Sequence, residues 1–242
     1  MIYLSLMTRV DLHRISGSSL LCLILLSFYG VTGAGFANGQ DTHHSPRRLV
    51  VLSYNIHHGR GGDDRVDLQR IAEVIKSSGA NLVALQEVDN KTQRTALVNQ
   101  IAVLSELTGM KGQFVKQLDY DGGEYGQGIL SSFPIGALTI HWLPGSPDRE
   151  RRIAGEVELQ LSEGTRIRFV TTHLHHARAE FRLEQAQRLR KVLERPGAPI
   201  ILAGDLNATP NEASIAELAA SWTLASAKEL TTFPAGAYAS AR

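Results

Sequence analysis

Cysteine is nearly absent: Cys22 is the only one in the chain, so no intrachain disulfide braces the fold. Charge of one sign is also lacking, with 25 basic residues against 24 acidic ones and a formal net charge of +1. A non-specific nucleic-acid binder draws most of its affinity from neutralising phosphates, so this balance excludes a general attraction to polyanions. Basic residues do gather at Arg149, Arg151 and Arg152 and along 178–190. The second group alternates with glutamate and glutamine, as on a solvated helix face. There are no internal repeats and no low-complexity tracts, which excludes a solenoid. What remains is 242 residues, 43% of them apolar, enough to bury one substantial core, and a single catalytic domain is the simplest account.

The longest uncharged run is N-terminal. Arg9 and Arg14 precede residues 15–39, which carry no charge, centre on Leu20-Leu21-Cys22-Leu23-Ile24-Leu25-Leu26 and end in small residues. This pattern reads as an export signal, residues 1–37, with cleavage near Ala34 or Ala37. The run is also long enough to span a bilayer as a helix of about 20 residues, so an N-terminal membrane anchor is the competing reading. Cys22 lacks the small residues that precede a lipid-acceptor cysteine. The expected location is therefore periplasmic or extracellular, or tethered to a membrane, with residues 38–47 as a polar linker before a domain over 48–242.

Within that domain, apolar alternation predicts a strand at 49–54, a loop at 59–64, and a helix started by Asp67 and stopped by Gly79. A strand at 82–88 and a helix at 97–108 follow. Strands are then expected at 114–118, 125–131, 137–143, 153–161 and 166–172, joined by short turns such as Ser162-Glu163-Gly164. A helix at 177–194 and a strand at 199–204, apolar throughout as if buried on both faces, complete the series. Helices alternating with strands at both ends, and antiparallel strands between them, predict an α/β fold of two packed sheets with helices outside.

Several of these strands end in a polar residue, as expected if their ends converge on one cleft. Phosphoesters repel nucleophiles, so a site that cleaves them needs a hard cation and a group that orients water. Glu87 closes an apolar strand and suits Mg²⁺, with Asn55 as a second ligand. In Gly204-Asp205-Leu206-Asn207, glycine permits a tight path. Asp205 can polarise the attacking water, and Asn207 can reach the same side; an Asp-x-Asn turn is the structural alternative. His173, ending its own strand, can donate to phosphate or be a buried structural histidine. Arg152 and Tyr125 are read as substrate-binding residues.

Six segments in order carry a family resemblance: Ser53-Tyr54-Asn55-Ile56, Leu85-Gln86-Glu87-Val88, Tyr125-Gly126-Gln127-Gly128-Ile129-Leu130-Ser131, Thr172-His173-Leu174, Arg182 with Gln185-Ala186, and Gly204-Asp205-Leu206-Asn207-Ala208. From about Arg48 to Pro234 the chain resembles the endonuclease/exonuclease/phosphatase superfamily of metal-dependent phosphoesterases, in particular its small bacterial hydrolases. The resemblance implies a four-layer sandwich of two mixed or antiparallel sheets flanked by helices. It also implies Mg²⁺, or Mn²⁺, at Glu87 and Asn55, water activation by Asp205, and phosphate contacts from Asn207 and His173.

Three positions depart from the family pattern. Beyond Thr232-Phe233-Pro234 there is no terminal Ser-Asp-His motif, which is read as C-terminal truncation with the last strands lacking. Gln127 stands where asparagine is common, and His175 where aspartate often follows. Two further readings stand beside the phosphoesterase. One is a non-catalytic, membrane-associated remnant that binds phosphate groups. The other is a zinc hydrolase using His57, His58, His173, His175 and His176, although the Asp-x-His and Gly-Asn-His patterns of dinuclear phosphatases are missing. The expected partner is a phosphoester, with lipid head group and nucleic acid not distinguished; no protein partner is inferred, and the chain is expected to be a monomer.

Overall fold

The computed structural model describes residues 6–11, 20–21, 48–145, 150–162 and 164–225. The cleavage positions Ala34 and Ala37, Cys22, the linker at 38–47, Glu163 of one predicted turn, Arg149 and everything after residue 225 lie outside it. Two short strands fall within the segment read as an export signal: β1 (Leu6–Asp11) and β2 (Leu20–Leu21).

The domain proper begins with β3 (Arg48–Asn55), α1 (Leu68–Ser78) and β4 (Leu82–Asn90). Strands β3 and β4 are parallel, as a helical crossover permits. The α1 boundaries follow the sequence signals. Asp67 caps the helix by accepting the Arg70 N–H at 3.0 Å, and Gly79 ends it at φ 65°. Next come α2 (Gln100–Thr108), β5 (Lys111–Tyr120) and β6 (Gly123–Ser131). Helix α2 starts three residues later than its apolar pattern suggests, because Asn99 caps it and exposed Leu97 sits at φ 60° outside it. The β5–β6 hairpin turns on Asp121-Gly122, both at positive φ, the chemistry a two-residue turn demands.

The second half runs β7 (Ile135–Trp142), β8 (Ile153–Ser162), β9 (Thr165–His173), α3 (Ala179–Leu193), β10 (Ile200–Asp205), α4 (Ala213–Ala219) and β11 (Thr223–Leu224). The seven-residue α4 is too short to give a periodic signal, so its sequence predicts no element there.

Two mixed sheets result, ordered β1-β3-β4-β6-β5 and β11-β2-β10-β9-β8-β7. Period-2 alternation sorts the side chains into three apolar layers. Leu49, Val51, Leu82, Ala84 and Ile129 from one sheet meet Val157, Phe169, Ile201 and Ala203 from the other. The opposite faces, Leu52, Val83 and Leu85 on one side and Val170, Ile200 and Leu202 on the other, pack on α1/α2 and on α3/α4 respectively. The outcome is the expected four-layer α/β sandwich. Each fully buried leucine or isoleucine contributes about 1.5–3 kcal/mol by leaving water. Among the described residues no helix is long and apolar enough to cross a membrane.

Candidate functional site

The same alternation that builds the middle layer brings the site together. Val51, Ser53 and Asn55 share a face of β3, as do Phe169, Thr171 and His173 on β9, and Ile201, Ala203 and Asp205 on β10. Each strand therefore places apolar groups in the gap between the sheets, joined on β3 and β9 by the buried hydroxyls of Ser53 and Thr171, and ends in a polar side chain at the rim. Glu87 reaches the rim by another route. Between Leu85 and Val88 the β4–β6 register shifts, so that Gln86 and Glu87 together oppose one residue of β6. Glu87 sits in this bulge at φ 57°, which re-aims a carboxylate that regular alternation would have sent to the helix side.

Asn55 joins the two sheets at this point. Its Nδ2 donates to Glu87 Oε1 at 2.8 Å and to Asp205 Oδ2 at 3.2 Å, while its Oδ1 accepts the His57 N–H at 3.1 Å. The amide thus puts its positive end between two carboxylates and keeps one oxygen lone pair free of that bond. Asp205 is held from both sides. Its Oδ1 accepts the Asn207 N–H at 3.0 Å, and its Oδ2 lies 3.7 Å from His173 Nε2. Asn207, at φ 49°, spends one amide hydrogen on the Leu174 carbonyl at 3.0 Å. The Asp-x-Asn turn exists, and it serves to aim Asp205.

His173 is buried between Asp205 and Arg152. Arg152 Nη1 approaches His173 Nδ1 at 3.3 Å and Glu150 Oε1 at 3.1 Å. A guanidinium can only donate, which assigns the proton of neutral His173 to Nε2, the atom facing Asp205. Burial first, and the Arg152 charge second, hold the His173 pKa below its ordinary 6.5. Tyr125 stays protonated because burial, then the Glu87 and Glu150 charges, raise its pKa. Its ring lies 6.1 Å from that of Tyr120, and Arg94 stands over both rings. Glu87, Asn55, His173, Asp205 and Asn207 are therefore brought together, with Arg152 directly behind His173.

The five histidines of the zinc reading do not converge. His57 and His58 lie beside Glu87, with one ligand atom from each of the three residues within 4.8 Å of the others. His173 faces Asp205 instead. His175 accepts the Ala177 and Arg178 N–H groups through Nδ1 and stacks on His176, a loop-forming role. The placement of His57 and His58 beside the carboxylate was missed from sequence. Its only signal was two histidines directly after Asn55-Ile56, and their positive φ values of 45° and 46° have no sequence signature.

Two segments of the resemblance turn out to be scaffold. Arg182 donates to the carbonyls of His175 and His176 and grips Glu212 Oε2 at 2.6 Å, while Gln185 accepts the His175 N–H and donates to the Pro144 carbonyl. Together they fasten the loop after β9 to α3. Gln127 bridges the sheets, accepting from Thr171 Oγ1 at 3.0 Å and donating to the Ile153 carbonyl at 3.1 Å.

Comparison with solved structures gives the same architecture. An endonuclease/exonuclease/phosphatase from Beutenbergia cavernae is 26% identical with a TM-score of 0.55, over 67% of this chain and 48% of that one, so the chain spans about half that relative's length. A Bacteroides thetaiotaomicron mannosyl-6-phosphatase superposes with a TM-score of 0.57 at 20% identity, over 71% of this chain and 70% of that one. The human Nocturnin catalytic domain gives 0.55 at 20% identity, over 71% and 69%. No protein of curated function matches the sequence significantly. The model of the Endonuclease/Exonuclease/phosphatase family matches residues 52–239, and with that match over most of its length the chain belongs to this family.

Proposed function

We propose that the protein hydrolyses a phosphoester with a water activated at the rim of the two sheets, as a monomer that depends on Mg²⁺ or Mn²⁺. The observation that carries this reading is the Asn55 amide nitrogen, within hydrogen-bonding distance of both the Glu87 and the Asp205 carboxylates, with His173 Nε2 3.7 Å from the same Asp205 oxygen. Glu87 and Asp205 offer carboxylate oxygens of the kind Mg²⁺ accepts, and a turn of the Asn55 amide, whose Nδ2 faces both of them, would add its Oδ1, so the residues fit the ion. When bound, the ion neutralises phosphate charge.

The side chains divide the remaining work. Asp205, its Oδ1 fixed by the Asn207 N–H, accepts a proton from the attacking water. His173 donates its Nε2 hydrogen to a phosphoryl oxygen, and burial keeps it in the neutral form that does so. The second amide hydrogen of Asn207 and the Tyr125 hydroxyl are further donors, and Arg152 holds the His173 ring. Balanced charge favours a small phosphoester or lipid head group over a nucleic acid. A similar structure is a mannosyl-6-phosphatase, so sugar phosphates belong in the substrate panel.

The test is hydrolysis of p-nitrophenyl phosphate, bis-p-nitrophenyl phosphate, a sugar phosphate, a phospholipid and DNA, with Mg²⁺ and with EDTA. Metal-stimulated turnover that is lost in Glu87→Gln and Asp205→Asn is expected, and equal rates in EDTA would defeat the reading. Phosphate binding with no turnover on any substrate would favour the non-catalytic remnant. Export is part of the proposal and rests on the uncharged run after Arg14. The mass of the mature chain from a secreting host tests it, and a retained residue 1 would contradict cleavage. Cleavage at Ala34 or Ala37 would also remove β1 from the sheet edge beside β3 and β2 from its place between β11 and β10.

A further inference from the structure

Beside the oxygen donors of the proposed site lie two imidazoles that its chemistry leaves unused. His57 and His58 form a 3₁₀ turn directly after β3, and their ring centroids are 4.4 Å apart at a tilt of 56°. Both residues and Glu87 have left-handed backbones, a conformation side-chain-bearing residues rarely adopt, and such strain gathers at binding sites. The turn is pinned on several sides. The His57 N–H binds Asn55 Oδ1, the His57 carbonyl accepts from Arg60 N at 2.9 Å, and the His58 carbonyl accepts from Gln100 Nε2 at 2.7 Å. One ligand atom from each of His57, His58 and Glu87 lies within 4.8 Å of the others. Ligands about 2.1 Å from a shared ion lie at most about 4.2 Å apart, so small side-chain rotations close the set.

We propose that His57 and His58 are metal ligands together with Glu87, and that this nitrogen-bearing set makes the site prefer a first-row transition ion such as Mn²⁺ over Mg²⁺. The inference deepens the proposed function and rests on its reading of Glu87 as a ligand. Magnesium is a hard ion that favours oxygen and water, whereas imidazole suits transition ions and adds affinity in the order in which Mn²⁺ precedes Zn²⁺. A site of Glu87 and Asn55 oxygens alone has no such bias.

The test is binding of Mn²⁺ and Mg²⁺ alone by titration calorimetry, with pulsed EPR of the Mn²⁺ form to detect ligand nitrogen. Expected is Mn²⁺ affinity at least about tenfold above that for Mg²⁺, with nitrogen modulation from imidazole. His57→Asn and His58→Asn keep a residue that tolerates the left-handed backbone. Each is expected to weaken Mn²⁺ by about tenfold or more while shifting Mg²⁺ by less than about threefold. No nitrogen modulation in the wild-type protein overturns the proposal even if both variants fail to fold. Equal losses for the two ions, or full Mn²⁺ affinity in Glu87→Gln, also overturn it. Nitrogen-ligated Mn²⁺ without turnover on any phosphoester would remove the proposed function and leave this inference standing.

Discussion

The Asn55 amide donates to Glu87 at 2.8 Å, tying the last residue of β3 to the bulge of β4, and the same nitrogen reaches Asp205 on the other sheet. Removing it should release both carboxylates without opening the core. Asn55→Ala is expected to lower kcat/KM for phosphoester hydrolysis by about 10²–10³-fold, the usual loss for one preorganised polar group. Its Tm should stay within a few degrees of wild type. Unchanged kinetics would show that the amide does not organise the site.

Arg152 lies 3.3 Å from His173 Nδ1, and its charge helps to hold the His173 pKa down. Arg152→Met is expected to raise that pKa toward the ordinary value. The neutral, donating imidazole exists above its pKa, so the acid limb of the pH–rate profile should move to higher pH. NMR titration of the His173 ring gives an independent reading, and a limb that stays in place would remove the imidazole from the rate.

Gly204 precedes Asp205 where β10 runs beside β9. A Cβ built there would lie 2.2 Å from the Thr172 carbonyl oxygen, a backbone atom with no means of moving aside. Gly204→Ala should therefore part the strands and cost about 1–3 kcal/mol, read as a lower denaturation midpoint, with activity lost as Asp205 shifts.

Away from the site, Glu156 is buried among His141 Nε2 at 2.8 Å, Arg168 Nε at 2.7 Å and Arg195 Nη2 at 2.6 Å. Burial opposes ionisation, but the hydrogen bonds from these three groups prevail and hold its pKa at about 2, below the ordinary 4.5. Between those values the unfolded chain binds the proton and the folded chain does not. This stability is present above pH 4.5 and lost as pH falls toward 2. Chemical denaturation across that window should show the loss. Glu156→Gln should flatten it and cost about 3–5 kcal/mol at neutral pH by leaving Arg168 buried without its partner.

The sequence by itself determined the elements from β3 to β10 and the polar rim. Alternation along 166–172 and the apolar runs at 49–54 and 199–204 predict two packed sheets, and strand parity then carries Asn55, His173 and Asp205 to one edge. Asp67 and Gly79 mark a helix by local chemistry that needs no distant partner. What only the tertiary structure decided depends on strain and on contacts across sheets. The bulge that turns Glu87 to the rim, the left-handed turn that sets His57 and His58 beside it, and the Asn55 bridge to Asp205 join residues up to 150 positions apart. Such geometry is stabilised by the packed whole and leaves no periodic trace in the chain. Arg182 and Gln185 show the converse: a family pattern marks them as plainly as Asp205, and only their partners reveal that they hold the loop and leave the chemistry to others.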